Sequence, residues 1–423
     1  MIGLSGHLEA PPSDIVRTAV KSDKLGLWVE RLTLTNFRSY VSASVATDAG
    51  PQVIVGANGS GKTNLLEALS LLSPGTGLRR VPFVDLARAG GDGSFAIAAH
   101  AHTLAGPADI GTGLQARTPT PNPSPQGGGG LSRGSERSER AGRIVRIDGS
   151  AQSGSGILAD YLEIVWVTPA MDGLFTGPAA ERRRFLDRLI LCFDHSYRTI
   201  AGRFERAMTS RNRLLADDVR DNAQLSGFEQ VMAETGVAVA AARLEAVAAM
   251  AAIVQKRRER DPDSAFPWSS FRLVGTIEDD LARLSAIEAE DAYARTLRET
   301  RERDRAASRT LDGPHRSDLI VEHGPKALEA RQCSTGEQKA LLLGLVLAHA
   351  ELLTERQEGA APILLLDEIT AHLDVHRRAA LFAEILRLGA QAWMTGTDAD
   401  AFSALRGNAQ FWGVEEGKIR SLS

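Results

Sequence analysis

Apolar and polar residues alternate from Val29 to Arg38 and again at Val41, Ala43 and Val45. This period-two pattern predicts two half-buried strands joined as a hairpin. Gln52-Val53-Ile54-Val55 reads as a buried strand and Asn64 to Leu69 as the start of a helix, so the hairpin is expected beside strand 52–55. Phe95, Ile97 and Ala99 alternate once more, and Ile144 to Gly149 resumes that pattern after a break. Ile164-Val165-Trp166-Val167 is a short apolar run of the kind buried on both faces. From Glu181 the periodicity turns helical, with a long Ala-rich segment at 228–260 and a densely charged one at 277–309. These two are expected to pair antiparallel as a short arm, separated by a turn and strand at 266–274. A last apolar helix runs from Ala340 to Leu353, followed by strands at Ile363–Leu366 and Ala392–Met394.

Two stretches carry no such period. Residues 1–28 mix Pro, Ser, Asp and Lys and read as a loosely ordered arm. Residues 104–142 include Pro119-Thr120-Pro121-Asn122-Pro123-Ser124-Pro125 and a run of four glycines. That composition cannot bury enough apolar surface to fold, so a disordered insertion at a hairpin tip is expected. The resulting division is 29–180, a helical lobe at 181–310, and 311–423.

Composition adds few constraints. The chain has 423 residues, 43% of them hydrophobic, with a net charge of −4. Any nucleic-acid surface must therefore come from local clustering, and Arg182 to Arg213 carries such an excess of arginine. Arg211 and Arg213 are the candidates for phosphate contact, with Arg79 and Arg80 as the alternative surface. The two cysteines, Cys192 and Cys333, are too few for a disulfide framework or a zinc site. No apolar run suggests a membrane span, and a cytoplasmic location is expected.

The chemistry begins at Gly56-Ala57-Asn58-Gly59-Ser60-Gly61-Lys62-Thr63, which fits G-x-x-x-x-G-K-[ST] between a strand and a helix. Glycines let several N–H groups converge on one anion, and the helix N-terminus adds positive potential. Lys62 is placed to reach the β/γ-phosphates of ATP and Thr63 to ligate Mg²⁺. Ile363-Leu364-Leu365-Leu366-Asp367-Glu368 is a buried strand ending in two acids, the Walker B pattern. Asp367 would hold the metal and Glu368 would serve as general base toward water. Gln332-Cys333-Ser334-Thr335-Gly336-Glu337-Gln338 resembles the signature of ABC ATPases, although a Ser-capped helix start is common by itself. Ala371-His372-Leu373-Asp374 resembles their D-loop. Where transporter ATPases place a histidine, Thr395-Gly396-Thr397 stands here, and the weaker Thr397 hydroxyl predicts slow hydrolysis.

From about residue 29 onward the chain resembles the RecF family of bacterial recombination mediator ATPases. The resemblance rests on Asn36-Phe37-Arg38-Ser39-Tyr40, on Arg182-Arg183-Arg184-Phe185-Leu186-Asp187, and on Arg211-Asn212-Arg213-Leu214-Leu215. Gly313-Pro314-His315-Arg316-Ser317-Asp318-Leu319 is also similar, with Ser317 in place of the usual Asp, as is Leu373-Asp374 followed by Arg377-Arg378. Thr168-Pro169-Ala170-Met171-Asp172 lacks the acid of the family's P-E-D. The resemblance implies an α/β fold, an ABC-type P-loop ATPase head with an inserted, mainly helical lobe. It implies ATP sandwiched in a homodimer, with Ser334, Gly336, Gln338 and Asp374 reaching the nucleotide of the other subunit. Slow, DNA-stimulated hydrolysis, double-stranded DNA and single-strand gap junctions as ligands, and RecR and RecO as partners follow from the same resemblance. An ABC transporter ATPase subunit is the alternative, and the wide separation of Lys62 from Ser334 opposes it. A tethering scaffold with purely structural ATP is opposed by Glu368.

Overall fold

The computed structural model describes residues 26–115 and 142–422. Residues 1–25 of the expected arm and 116–141 of the expected insertion lie outside the described residues. In chain order, β1 (Trp28–Phe37) and β2 (Tyr40–Ala46) form a hairpin, and β3 (Gln52–Val55) leads into α1 (Lys62–Ser70). β4 (Phe95–Thr103), β5 (Gly106–Leu114), β6 (Ile144–Ile147), β7 (Ser150–Ala151) and β8 (Ile164–Val167) follow. Next come α2 (Ala179–Leu191), α3 (Ser196–Ala216), α4 (Asn222–Arg260) and β9 (Ser269–Val274). α5 (Thr276–Leu281), α6 (Ala286–Glu299) and α7 (Arg301–Ala306) precede β10 (Asp318–His323) and β11 (Leu328–Glu329). The chain ends with α8 (Thr335–Arg356), β12 (Ile363–Leu366), α9 (Val375–Leu388), β13 (Ala392–Gly396), β14 (Gln410–Glu415) and β15 (Lys418–Leu422).

The central sheet has the order β15-β14-β3-β13-β12-β8, parallel throughout except at β15. β3, β13, β12 and β8 are short and largely apolar because both their faces are covered, whereas β15 at the edge is largely exposed. Val53, Leu364, Leu366 and Met394 enter one core with α2, α8 and α9. Ile54, Ile363, Leu365 and Trp393 enter another with α1 and the antiparallel sheet. That second sheet, β2-β1-β4-β5-β6-β7, carries the predicted hairpin. The hairpin thus shares a core with β3 but no hydrogen-bonded ladder, contrary to the placement expected from sequence.

Three further expectations change. The segment read as disordered from 104 includes β5, whose residues pair with β4 from Thr103↔Gly106 to Phe95↔Leu114. Its Gly and Pro content hid the alternation of Ala108, Ile110 and Leu114, which are buried. The segment at 277–309 is three short helices, and α4 packs on α3 and α6 around Phe204, Met232, Val237, Tyr293 and Leu297 rather than forming an arm. β9 pairs with β10, so the base of the helical lobe is tied by strands on both sides of residue 310. α4 also contains a stretch long and apolar enough to cross a membrane. In the fold its Met232, Val237, Ala240 and Ile253 are core residues.

Candidate nucleotide site

Parallel strands place the loops after β3, β12, β13 and β8 at one edge of the central sheet, the usual position for a ligand in such folds. Gly59 (φ 80°) and Gly61 (φ 116°) hold left-handed backbone in the first of these loops. A Cβ on Gly56 would stand 2.3 Å from the Val414 carbonyl oxygen, so the loop lies directly on β14. α1 starts at Lys62 without a side-chain cap, which leaves its first-turn N–H groups for an anion. Tyr40 donates 2.9 Å to the Gly61 carbonyl, and Arg38 grips Glu67 of α1 through two bonds of 2.9 Å. Both residues position the loop; sequence reading had marked them only as part of a family pattern.

Lys62 folds back over the loop, donating to Gly56 O at 2.8 Å and Ala57 O at 2.9 Å. Burial lowers its pKa, and the charges of Glu368 and Asp367 oppose that shift. The Thr63 hydroxyl lies 3.0 Å from each Asp367 oxygen. The two are 304 positions apart, and the pairing of β3 and β12 through β13 brings them together. A hydroxyl and a carboxylate are hard oxygen donors of the type Mg²⁺ takes. Thr395 donates to Asp367 at 2.6 Å and accepts from the Glu368 N–H at 2.8 Å, fixing the turn after β12. Glu368 is exposed there with φ 48°, a left-handed backbone state that is uncommon for a non-glycine residue. Thr397 is exposed and lines a cavity of about 600 Å³ with Gly56, Ala57, Asn58, Gly59 and Ser60.

The signature residues stand elsewhere. Ser334 is exposed at the start of α8, where its N–H and hydroxyl both donate 3.0 Å to Glu337. Lys326, 2.5 Å away, together with the Ser334 N–H, holds the Glu337 carboxyl down at about 2. A Cβ on Gly336 would meet the His372 carbonyl at 3.1 Å, so the signature start and the D-loop are neighbours. Asp374 caps α9 through the Arg377 N–H at 2.9 Å. Gln338 departs from expectation: it is buried and donates 2.8 Å to Cys333 O, so it braces the motif and is not presented to a ligand. Lys339, which sequence reading passed over, is buried on α8 and reaches both the Glu368 carbonyl, at 3.3 Å, and Asp172, at 3.4 Å. Asp172 thus supplies an acid in the loop that lacks the family's usual one.

The arginine cluster is also corrected. Arg211 is fully buried, paired with Asp304 at 2.7 Å and Glu229 at 3.1 Å, and bonded to Thr310 and the Leu297 carbonyl. It is therefore no DNA contact; its partners lie 18 and 93 positions away, beyond any local reading. Arg182 pairs with Asp318 and Arg243 with Asp187, and Ser317 accepts from Arg243 in place of the family's Asp. Arg213 remains exposed, 3.8 Å from Asp217.

Residues 31–79 match the family described as AAA domain. The chain is 49% identical over 391 residues to "DNA replication and repair protein RecF" of Mesorhizobium japonicum, covering 92% of this chain and 97% of that one. It is 50% identical over 395 residues to the protein of the same description in Brucella suis, covering 93% and 96%. The fold is similar to the recombination mediator protein RecF solved with ATP, at 19% identity and TM-score 0.77 over 95% of this chain and 100% of that one. An Smc head domain from Pyrococcus furiosus is similar at TM-score 0.51 and 17% identity, over 94% and 96%. The α/β fold is thus that of ABC-type ATPase heads, and at half-identity over nearly its full length the chain belongs to the RecF family of DNA replication and repair proteins.

Proposed function

We propose that the protein is an ATP-dependent DNA-binding protein of recombinational repair and replication restart that closes as a homodimer on DNA. Family membership supports this reading and gives no support to the transporter alternative. The observation that carries the dimer is the separation of half-sites within one chain. Thr63 and Asp367 line one cavity beside the P-loop and Gly56–Ser60 another, and neither lining includes Ser334, Gly336 or Asp374. Exposed Ser334 is therefore available to complete the site of a second copy.

ATP would sit on the N–H groups of Gly59 to Thr63, with Lys62 turning from its two carbonyls to the phosphates. Thr63 and Asp367 would hold Mg²⁺, which would supply charge neutralisation to the phosphates. Glu368 would orient water toward the γ-phosphorus, and Thr395, accepting from the Glu368 N–H, fixes the backbone of that turn. Lys339 links the signature helix to Glu368 and Asp172, so closure around a partner's nucleotide would reach the hydrolytic residues directly. Double-stranded DNA and gap junctions are the ligands, RecR and RecO the partners, and help in loading the recombinase the outcome. Hydrolysis is slow and DNA-stimulated in this reading, and the protein works in the cytoplasm.

The test is duplex affinity and particle mass with ATP, ADP and no nucleotide. ATP alone should produce a dimer and tighten DNA binding, and Ser334→Arg should abolish the dimer while leaving ATP bound to the monomer. A normal dimer in that variant removes the composite site.

A further inference from the structure

Thr63 and Asp367 open onto a cavity of about 600 Å³ that extends beyond any P-loop contact. Its far wall is made by the loop after β8 and the outer face of α2, and four arginines line it: Arg79, Arg80, Arg184 and Arg188. Two are neutralised locally. Arg79 pairs with Glu67 at 3.2 Å and Arg184 with Glu181 at 3.1 Å. The other two have no carboxylate partner among the described residues. Arg188 stacks on the Trp166 ring at 4.7 Å and lies 5.5 Å from the Phe185 ring centre. Its guanidinium donates to the Trp166 carbonyl at 3.3 Å and points at the Met171 sulfur at 3.7 Å.

Arg188 is half-buried; a guanidinium partly removed from water without a counter-ion is disfavoured, and a second cation nearby adds to the cost. Burial, and then the charge of Arg80, push Arg188 down to about 10. Arg80 is exposed and held at φ 54°, a left-handed backbone state that fixes the direction of its loop. Arg188, half-buried and without a carboxylate partner among the described residues, and exposed Arg80 thus line the same cavity as Thr63 and Asp367, the residues expected to hold the metal.

We propose that Arg188 and Arg80 form a binding site for a phosphate oxyanion, and that its occupant is the orthophosphate split from ATP before it leaves the protein. The inference rests on the proposed ATPase reading for the source of the anion. Two guanidinium groups on the wall of one cavity offer fork-shaped donor sets that match a tetrahedral oxyanion. The cavity is contiguous with Thr63 and Asp367, so a cleaved γ-phosphate reaches it without crossing the P-loop. The loop that frames it carries Asp172, tied to Lys339 of the signature helix, and an anion lodged there would report the hydrolysed state to that helix.

The experiment titrates inorganic phosphate into the ADP-saturated full-length protein by calorimetry, after ADP affinity has been measured on the same sample. Arg188→Gln should weaken phosphate about tenfold, the loss expected for one charge-assisted contact, with ADP affinity kept. Arg188→Lys should recover part of it. Arg80→Gln, on an exposed loop and safe for folding, should weaken phosphate in the same direction, and phosphate inhibition of turnover should relax in both glutamine variants. Phosphate affinity equal to wild type in Arg188→Gln and Arg80→Gln overturns the site, as does no phosphate binding by the wild type. If ADP itself fails to bind, the nucleotide reading falls. Titrating nucleotide-free wild type against the two variants then still decides the cavity. Competition between a short duplex and phosphate in the wild type, lost in the variants, would assign the arginines to nucleic acid and overturn the product-phosphate assignment.

Discussion

In the helical lobe, Arg211 donates to Asp304, Glu229, Thr310 and a main-chain carbonyl. In the nucleotide cavity, Arg188 lies against two aromatic rings and meets no carboxylate among the described residues. Both lie in the arginine-rich stretch from Arg182 to Arg213, Arg211 fully buried and Arg188 half-buried. The difference is the company. A buried cation whose donors are all used is part of the architecture, whereas one without a carboxylate partner on the wall of a cavity is set for a ligand that brings negative charge. Lys62 belongs with the second kind, since its two partners are carbonyls and not acids.

The largest effect expected is at the acids that close this cation-rich site. Glu368→Gln should lower ATP turnover by about 10²–10⁴-fold, because an amide cannot accept the proton of water. ATP binding should persist, and the dimer should accumulate with ATP bound. Lys62→Ala should instead lose the binding of ATP itself. Single-turnover hydrolysis together with equilibrium ATP binding separates the two, and wild-type turnover in Glu368→Gln removes its role as base.

On the architectural side, Arg211→Ala leaves Asp304 and Glu229 buried, although Arg301 still pairs with Glu229. Breaking a buried pair from one side costs about 3–5 kcal/mol, enough to unfold a marginal lobe. Denaturant unfolding should show it, while Arg211→Met in combination with Asp304→Leu and Glu229→Gln should recover part of the loss. A stable Arg211→Ala would mean that Arg211 is not the keystone of that network.

Glu163 tests the other edge of the comparison, a buried acid with no cation partner among the described residues. It precedes β8, is buried, and has one carboxylate oxygen with no hydrogen bond. Burial raises its pKa from 4.5 to about 8. The folded protein therefore binds a proton that the unfolded chain releases. Stability contributed by this group is full below pH 4.5, declines as pH rises through the interval, and reaches its minimum above about 8. Glu163→Gln should be nearly neutral at pH 5 and stabilising at pH 9, by on the order of 1 kcal/mol per pH unit of the shift. An equal effect at both pH values would show that Glu163 is ionised in the fold.

These contrasts also mark what sequence can disclose. The P-loop and the Walker B acids were legible because their chemistry needs adjacent residues of fixed type. Asp367 meets Thr63 because both stand at the ends of apolar runs that a parallel sheet aligns. The partners of Arg211, the inward turn of Gln338, and the Lys339–Asp172 contact depend on packing between segments far apart in the chain. Composition misled at β5, where Gly106, Pro107, Gly111 and Gly113 mask a strand fixed by its neighbour β4. A Cβ at Gly113 would come within 2.3 Å of the Phe95 carbonyl, so that glycine serves close strand approach and not disorder.

The smallest effect is expected two residues from Arg211. The Arg213 side chain is 84% exposed, and its only ion-pair contact among the described residues is Asp217 on the same helix at 3.8 Å. Such pairs contribute little, so Arg213→Glu should leave stability within about 0.5 kcal/mol of wild type. Arg213 thus retains what Arg211 has lost to the core, a charge free to meet a phosphate. If α3 faces DNA, reversal at Arg213 should weaken binding at many sequences alike and reduce the slope of log affinity against log salt by about 1. ATP binding should not change, because Arg213 lines neither cavity beside the P-loop. Affinity measured across a salt series for Arg213→Glu decides it: an unchanged slope would move the DNA surface off α3, and the exposed Arg79 and Arg80 would be the next pair to reverse.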